Sequence, residues 1–228
     1  EIIDLSKLAS ICKKSNVIFV VDNCFATPII QKPLTLGAHV SIHSTTKFMD
    51  GQGRTLGGLI LATKEIIGKI EAFARHSGPA LSPFNAWIIS KSLETLALRV
   101  ERMSENALSI AKKLEKHPQV KWVKYPHLKS HPNYEVAKKQ MSLGGAIISF
   151  EIKGGLKAGR KFLNGLSLFS LTPNLGDTRS IASHPASTTH SKLSEKERQE
   201  VGISDGLIRL SIGLENVKDI WNDLKNAL

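Results

Sequence analysis

Lys47 lies in VSIHSTTKFMDGQGRTLGG, residues 40–58, directly behind Ser44, Thr45 and Thr46 and ahead of a glycine-rich turn. A second chemical group, Asp22, ends the apolar run VIFVVD and precedes Lys47 by 25 positions. A lysine amine can form an imine with an aldehyde, and a carboxylate can keep a proton on a ring nitrogen. Hydroxyls such as those of Ser44 and Thr46, helped by nearby backbone N–H groups, can hold an anion.

Those three capacities together describe a site for pyridoxal 5′-phosphate, a cofactor that accepts electrons through its ring. Each group also has a plainer reading. An Asp after a buried strand serves as a helix cap or surface turn, and Ser-Thr-Thr before a lysine serves as a turn. GQGRTLGG does not complete a phosphate-binding P-loop, which ends in Gly-Lys-Ser/Thr. His184 and His190 flank PASTT without a third ligand at metal spacing, so the residues imply no metal site. His43 beside Ser44 has no G-x-S-x-G elbow to make it part of a hydrolase triad. Nothing marks Cys24 as a nucleophile, and Trp87, Trp122 and Trp221 read as packing residues.

For Asp22 and Lys47 to meet, each must follow a strand whose carboxyl end opens on one edge of a sheet. Residues 5–14 read as a helix, VIFVVD as a buried strand, Ala38–Ile42 as the next strand and GLILAT (58–63) as a third. Unbroken apolar strands suit a parallel sheet covered on both faces, so a mostly parallel α/β sheet is expected. Residues 86–116 carry apolar side chains at spacings of three and four and read as one long helix, stopped by His117-Pro118. Beyond it VKWVKYP, GAIISFEI and LIRLSIGL read as strands of a smaller sheet, with helices at 155–165 and 215–227. The expected division is therefore residues 1–100, part of a large domain, and 101–228, a small α/β domain. The polar segment TPNLGDTRSIASHPASTTH is too long for a mere connector and reads as a functional loop.

The chain has 31 basic and 20 acidic residues, a formal charge of +11, with 41% hydrophobic residues. The bases alternate with acids along helices, as in SEKERQE, instead of gathering among exposed aromatics; a nucleic-acid partner is not expected. No apolar run reaches the roughly 18–20 residues a bilayer crossing requires. Two cysteines, Cys12 and Cys24, form neither a disulfide framework nor a metal set, which suits the cytoplasm. The opening EIIDLSKLAS runs straight into a helical pattern, as if this were the C-terminal portion of a longer protein.

VVDNCFATPIIQKPLTLGAHVSIHSTTKFMDGQGRTLGG resembles the lysine region of the Cys/Met-metabolism enzymes that use pyridoxal phosphate. FNAWIISKSLETLALR, NLGDTRSIASHPASTTH and LIRLSIGLENVKDIWNDL extend the resemblance over essentially the whole chain, in family order. The resemblance implies the C-terminal part of an aspartate-aminotransferase-like fold. It also implies that Lys47 carries the cofactor covalently, Asp22 faces its ring nitrogen, and Ser44 and Thr46 hold its phosphate. Arg209 is implied as the holder of the substrate α-carboxylate. Asn174 occupies the position where several relatives have a serine beside substrate and lysine. DGQGR and NLGDTRS most resemble sulfhydrylases that convert O-succinylhomoserine, or its acetyl analogue, and sulfide to homocysteine. Cystathionine synthases and γ-lyases are the alternatives, and a non-catalytic interaction protein is the alternative of another class. Family resemblance further implies a homotetramer built as a dimer of dimers. A missing N-terminal half, or a companion chain, would supply a glycine phosphate turn, a ring-stacking tyrosine, and a tyrosine and arginine for the neighbouring subunit. The 228 residues alone are accordingly expected to show an exposed sheet edge and no turnover.

Overall fold

The computed structural model describes residues 1–228. The first strands are β1 (Val20–Asp22), β2 (Val40–Ser44) and β3 (Gly58–Ala62), in that spatial order. Around them run α1 (Leu5–Lys14), α2 (Thr27–Ile30) and α3 (Lys64–Ser77), followed by α4 (Pro83–Leu93) and α5 (Leu96–Leu114). The second sheet comprises β4 (Val120–Lys124), β5 (Ile147–Ile152), β6 (Ser170–Leu171), β7 (Ile181–Ser183) and β8 (Leu207–Ser211), ordered β4-β5-β8-β7-β6. The remaining helices are α6 (Tyr134–Gln140), α7 (Gly155–Gly165), α8 (Glu195–Glu200) and α9 (Val217–Ala227).

The sheets are mixed and mostly antiparallel, which corrects the expectation of a mostly parallel fold. Only β1–β2 and β6–β7 run parallel; β2–β3, β4–β5, β5–β8 and β7–β8 run antiparallel. Apolar continuity misled because it reports burial and not strand direction. In β3 apolar continuity does not report even burial: GLILA is apolar and pairs antiparallel with β2, yet Leu59, Ile60 and Leu61 are 36%, 42% and 44% exposed at the end of its sheet.

The long helix is likewise two helices, because the backbone leaves helical geometry at Thr95 (φ −110°, ψ 5°). Thr95 and Arg99 fold back on this break: Arg99 Nη2 donates to the carbonyl of Ser92 across it. Two short strands, β6 and β7, lie in or beside the segment read as a loop. All three residues of β7 are buried between β8 and the edge strand β6, so the Ser-rich sequence hides an interior strand.

The main core lies under the five-stranded sheet. Val123, Ile148, Phe150, Ile208 and Leu210 face α5, α7 and α9, burying Ile110, Leu114, Phe162, Ile220 and Leu224. Helix α5 spans both layers, since its first turns bury Leu96 and Val100 with Ile30 and Met49. The same helix therefore fixes the second sheet relative to the turn that follows β2, and that turn carries Lys47.

Candidate active site

At its carboxyl end β2 enters a tight turn of π-helical type, Thr45–Met49, in which Lys47 leaves helical geometry (φ −92°, ψ −129°). Thr45, Phe48 and Met49 are buried on either side and anchor the turn. Arg99 secures it from below. Its guanidinium donates to the carbonyls of Phe48 (2.7 Å) and Met49 (3.1 Å), while Nε donates to Thr95 Oγ1 (3.2 Å). Burial pushes the Arg99 pKa down, yet the carbonyls at the end of the turn offer the partial negative charge a cation requires. Gly51 (φ +72°) follows because a Cβ there would collide with that guanidinium.

A second layer extends from Asp50, whose carboxylate accepts from Arg54 N (2.7 Å) and Nε (3.0 Å). Arg54 Nη2 reaches on to Ser92 Oγ (2.6 Å). Ser92 therefore participates in this support. The sequence reading missed Arg99, Asp50 and Arg54. Their signals were an i,i+4 acid–base pair in DGQGR and a lone arginine within the apolar stripe of α5.

Lys47 Nζ donates to Asn174 Oδ1 at 2.6 Å, across 127 positions of chain. Asn174 is held in turn through its backbone: Arg209 Nη2 donates to the carbonyls of Pro173 (2.7 Å) and Asn174 (3.0 Å). The Asn174 loop approaches the lysine turn closely, for a Cβ on Gly176 (φ +80°) would sit 2.6 Å from Phe48 N. Thr178 N donates to Gly51 O (2.7 Å) and Gly176 N to Ser211 Oγ (2.9 Å), which fastens the loop to both layers.

Asp22 ends β1 opposite Ile42, and its carboxylate accepts the N–H of Cys24 at 3.0 Å. Cys24 Sγ accepts the N–H of Ser44, bridging the ends of β1 and β2. Burial, reinforced by Asp22, pushes the Cys24 thiol up to about 11, so it remains protonated and acts as a link, not a nucleophile. Thr46 Oγ1 accepts from Gly57 N (3.2 Å) and closes the glycine-rich turn. Neither Asp22 nor Lys47 forms an ion pair.

A cavity of about 510 Å³ opens beside these groups, with Asp22, Cys24, Gly145, Ser149, Arg209 and Lys124 among its lining residues. Asp22 and Arg209 share this cavity directly. Lys47 and Asn174 share a hydrogen bond, and the Arg209–Asn174 contact joins the two sets. Ser44 and Thr46 lie at the Lys47 turn, outside the cavity lining. His184 stands apart, fully buried, with its Nε2 2.7 Å from the carbonyl of Asp205.

The sequence pattern of the Cys/Met metabolism PLP-dependent enzymes matches residues 1–228. The chain belongs to this family. It is 45% identical over 228 residues to the O-succinylhomoserine sulfhydrylase of Pseudomonas aeruginosa, covering 100% of this chain and 57% of the relative. It is 47% identical over 231 residues to the L-methionine gamma-lyase of Fusobacterium nucleatum, of which it covers 58%. Among solved structures, cystathionine gamma synthase from Xanthomonas oryzae, in complex with aminoacrylate and cysteine, superposes with a TM-score of 0.96. That comparison shows 40% identity and covers 100% of this chain and 59% of the other. The chain thus spans about three-fifths of the length of these proteins.

The family's cofactor is pyridoxal phosphate. The residues present fit it on a structural observation: the Lys47 amine is held by a neutral amide instead of a carboxylate.

Proposed function

We propose that the whole protein is a pyridoxal-phosphate enzyme acting at the γ-carbon of a sulfur or homoserine-derived amino acid. The 2.6 Å contact between Lys47 Nζ and Asn174 Oδ1, tied through Asn174 to Arg209, is the observation that carries this reading. Bound at these residues, pyridoxal phosphate would supply the electron sink that acidifies an amino acid's α-proton. Lys47 would be its attachment point, and Asp22 would keep a proton on its ring nitrogen. Ser44 and Thr46 would contact its phosphate.

The free amine of Lys47 would act as the base that takes the α-proton, removes a β-proton so that the γ-substituent can leave, and later returns a proton to the β-carbon. Asn174 Oδ1 orients that amine. Arg209 holds the α-carboxylate, for which a planar guanidinium is suited, and so fixes the α-proton relative to Lys47. Residues 1–100 would then carry the cofactor contacts, while residues 101–228 supply the substrate arginine.

Elimination and replacement at the γ-carbon share these steps, and the similar proteins include lyases and a synthase as well as sulfhydrylases. The replacement form converts O-succinylhomoserine and sulfide to homocysteine and succinate; with cysteine the product is cystathionine. The elimination form converts methionine and water to methanethiol, 2-oxobutyrate and ammonia. The test is product analysis of the intact protein with each substrate, beside Lys47→Ala. We expect Lys47→Ala to lose the visible absorbance of lysine-bound cofactor together with every γ-reaction. A variant that kept both would refute the role of Lys47.

A further inference from the structure

The register of the five-stranded sheet aligns three polar side chains. Lys124 pairs with Ser149, and Ser149 pairs with Arg209, so β4, β5 and β8 present them as one transverse row. All three line the 510 Å³ cavity. Their neighbours of opposite parity, Val123, Phe150 and Ile208, are buried in the core beneath. We propose that Lys124 is a second carboxylate-binding residue of this site, so that the substrate bears one carboxylate at Arg209 and another beyond its γ-substituent. This deepens, and rests on, the γ-carbon chemistry proposed above.

The surroundings of Lys124 carry the assignment. Lys124 forms no ion pair and no hydrogen bond; its ammonium lies 5.2 Å from the centre of the Trp122 ring. The acid that shares this sheet face, Glu151, is already engaged by Lys121 (3.2 Å) and by Trp122 Nε1 (2.6 Å). Glu1 also lines the cavity without pairing with Lys124. Nearby His131, its pKa lowered by burial and by the positive charges around it, brings no competing cation at neutral pH.

Spacing selects the ligand. Two inter-strand steps of roughly 4.8 Å set Arg209 and Lys124 about 10 Å apart at the backbone. The two carboxyl carbons of O-succinylhomoserine are separated by eight bonds, about 10 Å when extended at the rise of a polypeptide backbone. Cystathionine, with seven bonds, comes close. O-acetylhomoserine and methionine end in a methyl group and would leave Lys124 without a partner.

Lys124 is exposed, so its replacement leaves the core intact. In the cofactor-loaded intact protein, Lys124→Gln should raise KM for O-succinylhomoserine about tenfold, leave kcat nearly unchanged and leave O-acetylhomoserine unaffected. Lys124→Arg should restore most of the loss. A second readout does not require turnover: calorimetric titration with nonanedioate, whose carboxyl carbons are also eight bonds apart, against nonanoate. The wild type should prefer the diacid, and Lys124→Gln should erase the preference. Equal losses for both esters, no loss for either, or equal binding of diacid and monoacid would overturn the assignment. Failure to turn over any γ-substituted amino acid would overturn the proposed reaction instead, and the titration would still decide the role of Lys124.

Discussion

Replacing Arg99 with methionine removes the cation beneath the Lys47 turn while preserving the bulk of its stem. Arg99 is 7% exposed and donates to Phe48 O, Met49 O, Ser92 O and Thr95 Oγ1 at 2.7–3.2 Å. Hydrogen bonds from a charged donor contribute about 1.5–3 kcal/mol each, and a buried carbonyl left unpaired costs about 1–3 kcal/mol. Removing the guanidinium also relieves its own desolvation, so these contributions do not simply add. A net loss of about 3–5 kcal/mol is expected for Arg99→Met. Arg99→Lys should fall between, because an ammonium cannot span the same carbonyls in one fixed fork. Urea denaturation of the three proteins gives the stabilities, and hydrogen exchange at Phe48 to Gly51 locates the damage. A Met variant within about 1 kcal/mol of wild type, with unchanged exchange in that turn, would refute the support assigned to Arg99.

Two further outcomes follow from the same geometry. Gly176→Ala should cost about 3 kcal/mol, combining left-handed backbone strain with the Cβ approach to Phe48 N, whereas Gly202→Ala (φ +76°, open space) should cost only about 1 kcal/mol. Equal melting temperatures for these variants would show that the loop does not press on the lysine turn. Burial lowers the pKa values of His43 and His184 from 6.5, so the unfolded chain binds protons first as pH falls. Their contribution should be complete above about pH 6.5 and decline below it, and a melting temperature flat from pH 7 to pH 5 would contradict this.

The element pattern was readable wherever local periodicity and burial agree. Alternating IISFEI and LIRLS gave the strands of the second sheet, and the apolar stripe of residues 96–114 gave α5. Strand direction was not readable, because Val21 in a parallel pair and Ile60 in an antiparallel one present the same residue types. The α4–α5 break was hidden because Thr95 interrupts hydrogen bonding without interrupting the apolar spacing. Lys47 and Asp22 stood out as chemistry at strand ends. Arg99 did not, since its importance depends on carbonyls 50 or so positions earlier, brought to it only by packing. The Lys47–Asn174 contact and the Lys124–Ser149–Arg209 row are equally long-range, fixed by sheet register and not by any local signature.

Arg209 uses a single nitrogen, Nη2, for Pro173 and Asn174. Nη1 keeps both of its hydrogens for an arriving carboxylate, whereas either two-pronged face of the guanidinium includes Nη2 and would compete with those carbonyls. The side chain has already surrendered much of its roughly 2 kcal/mol of rotamer entropy during folding, and this cost is not repeated at binding. Lysine at this position would keep the charge yet remain to be ordered by each incoming ligand.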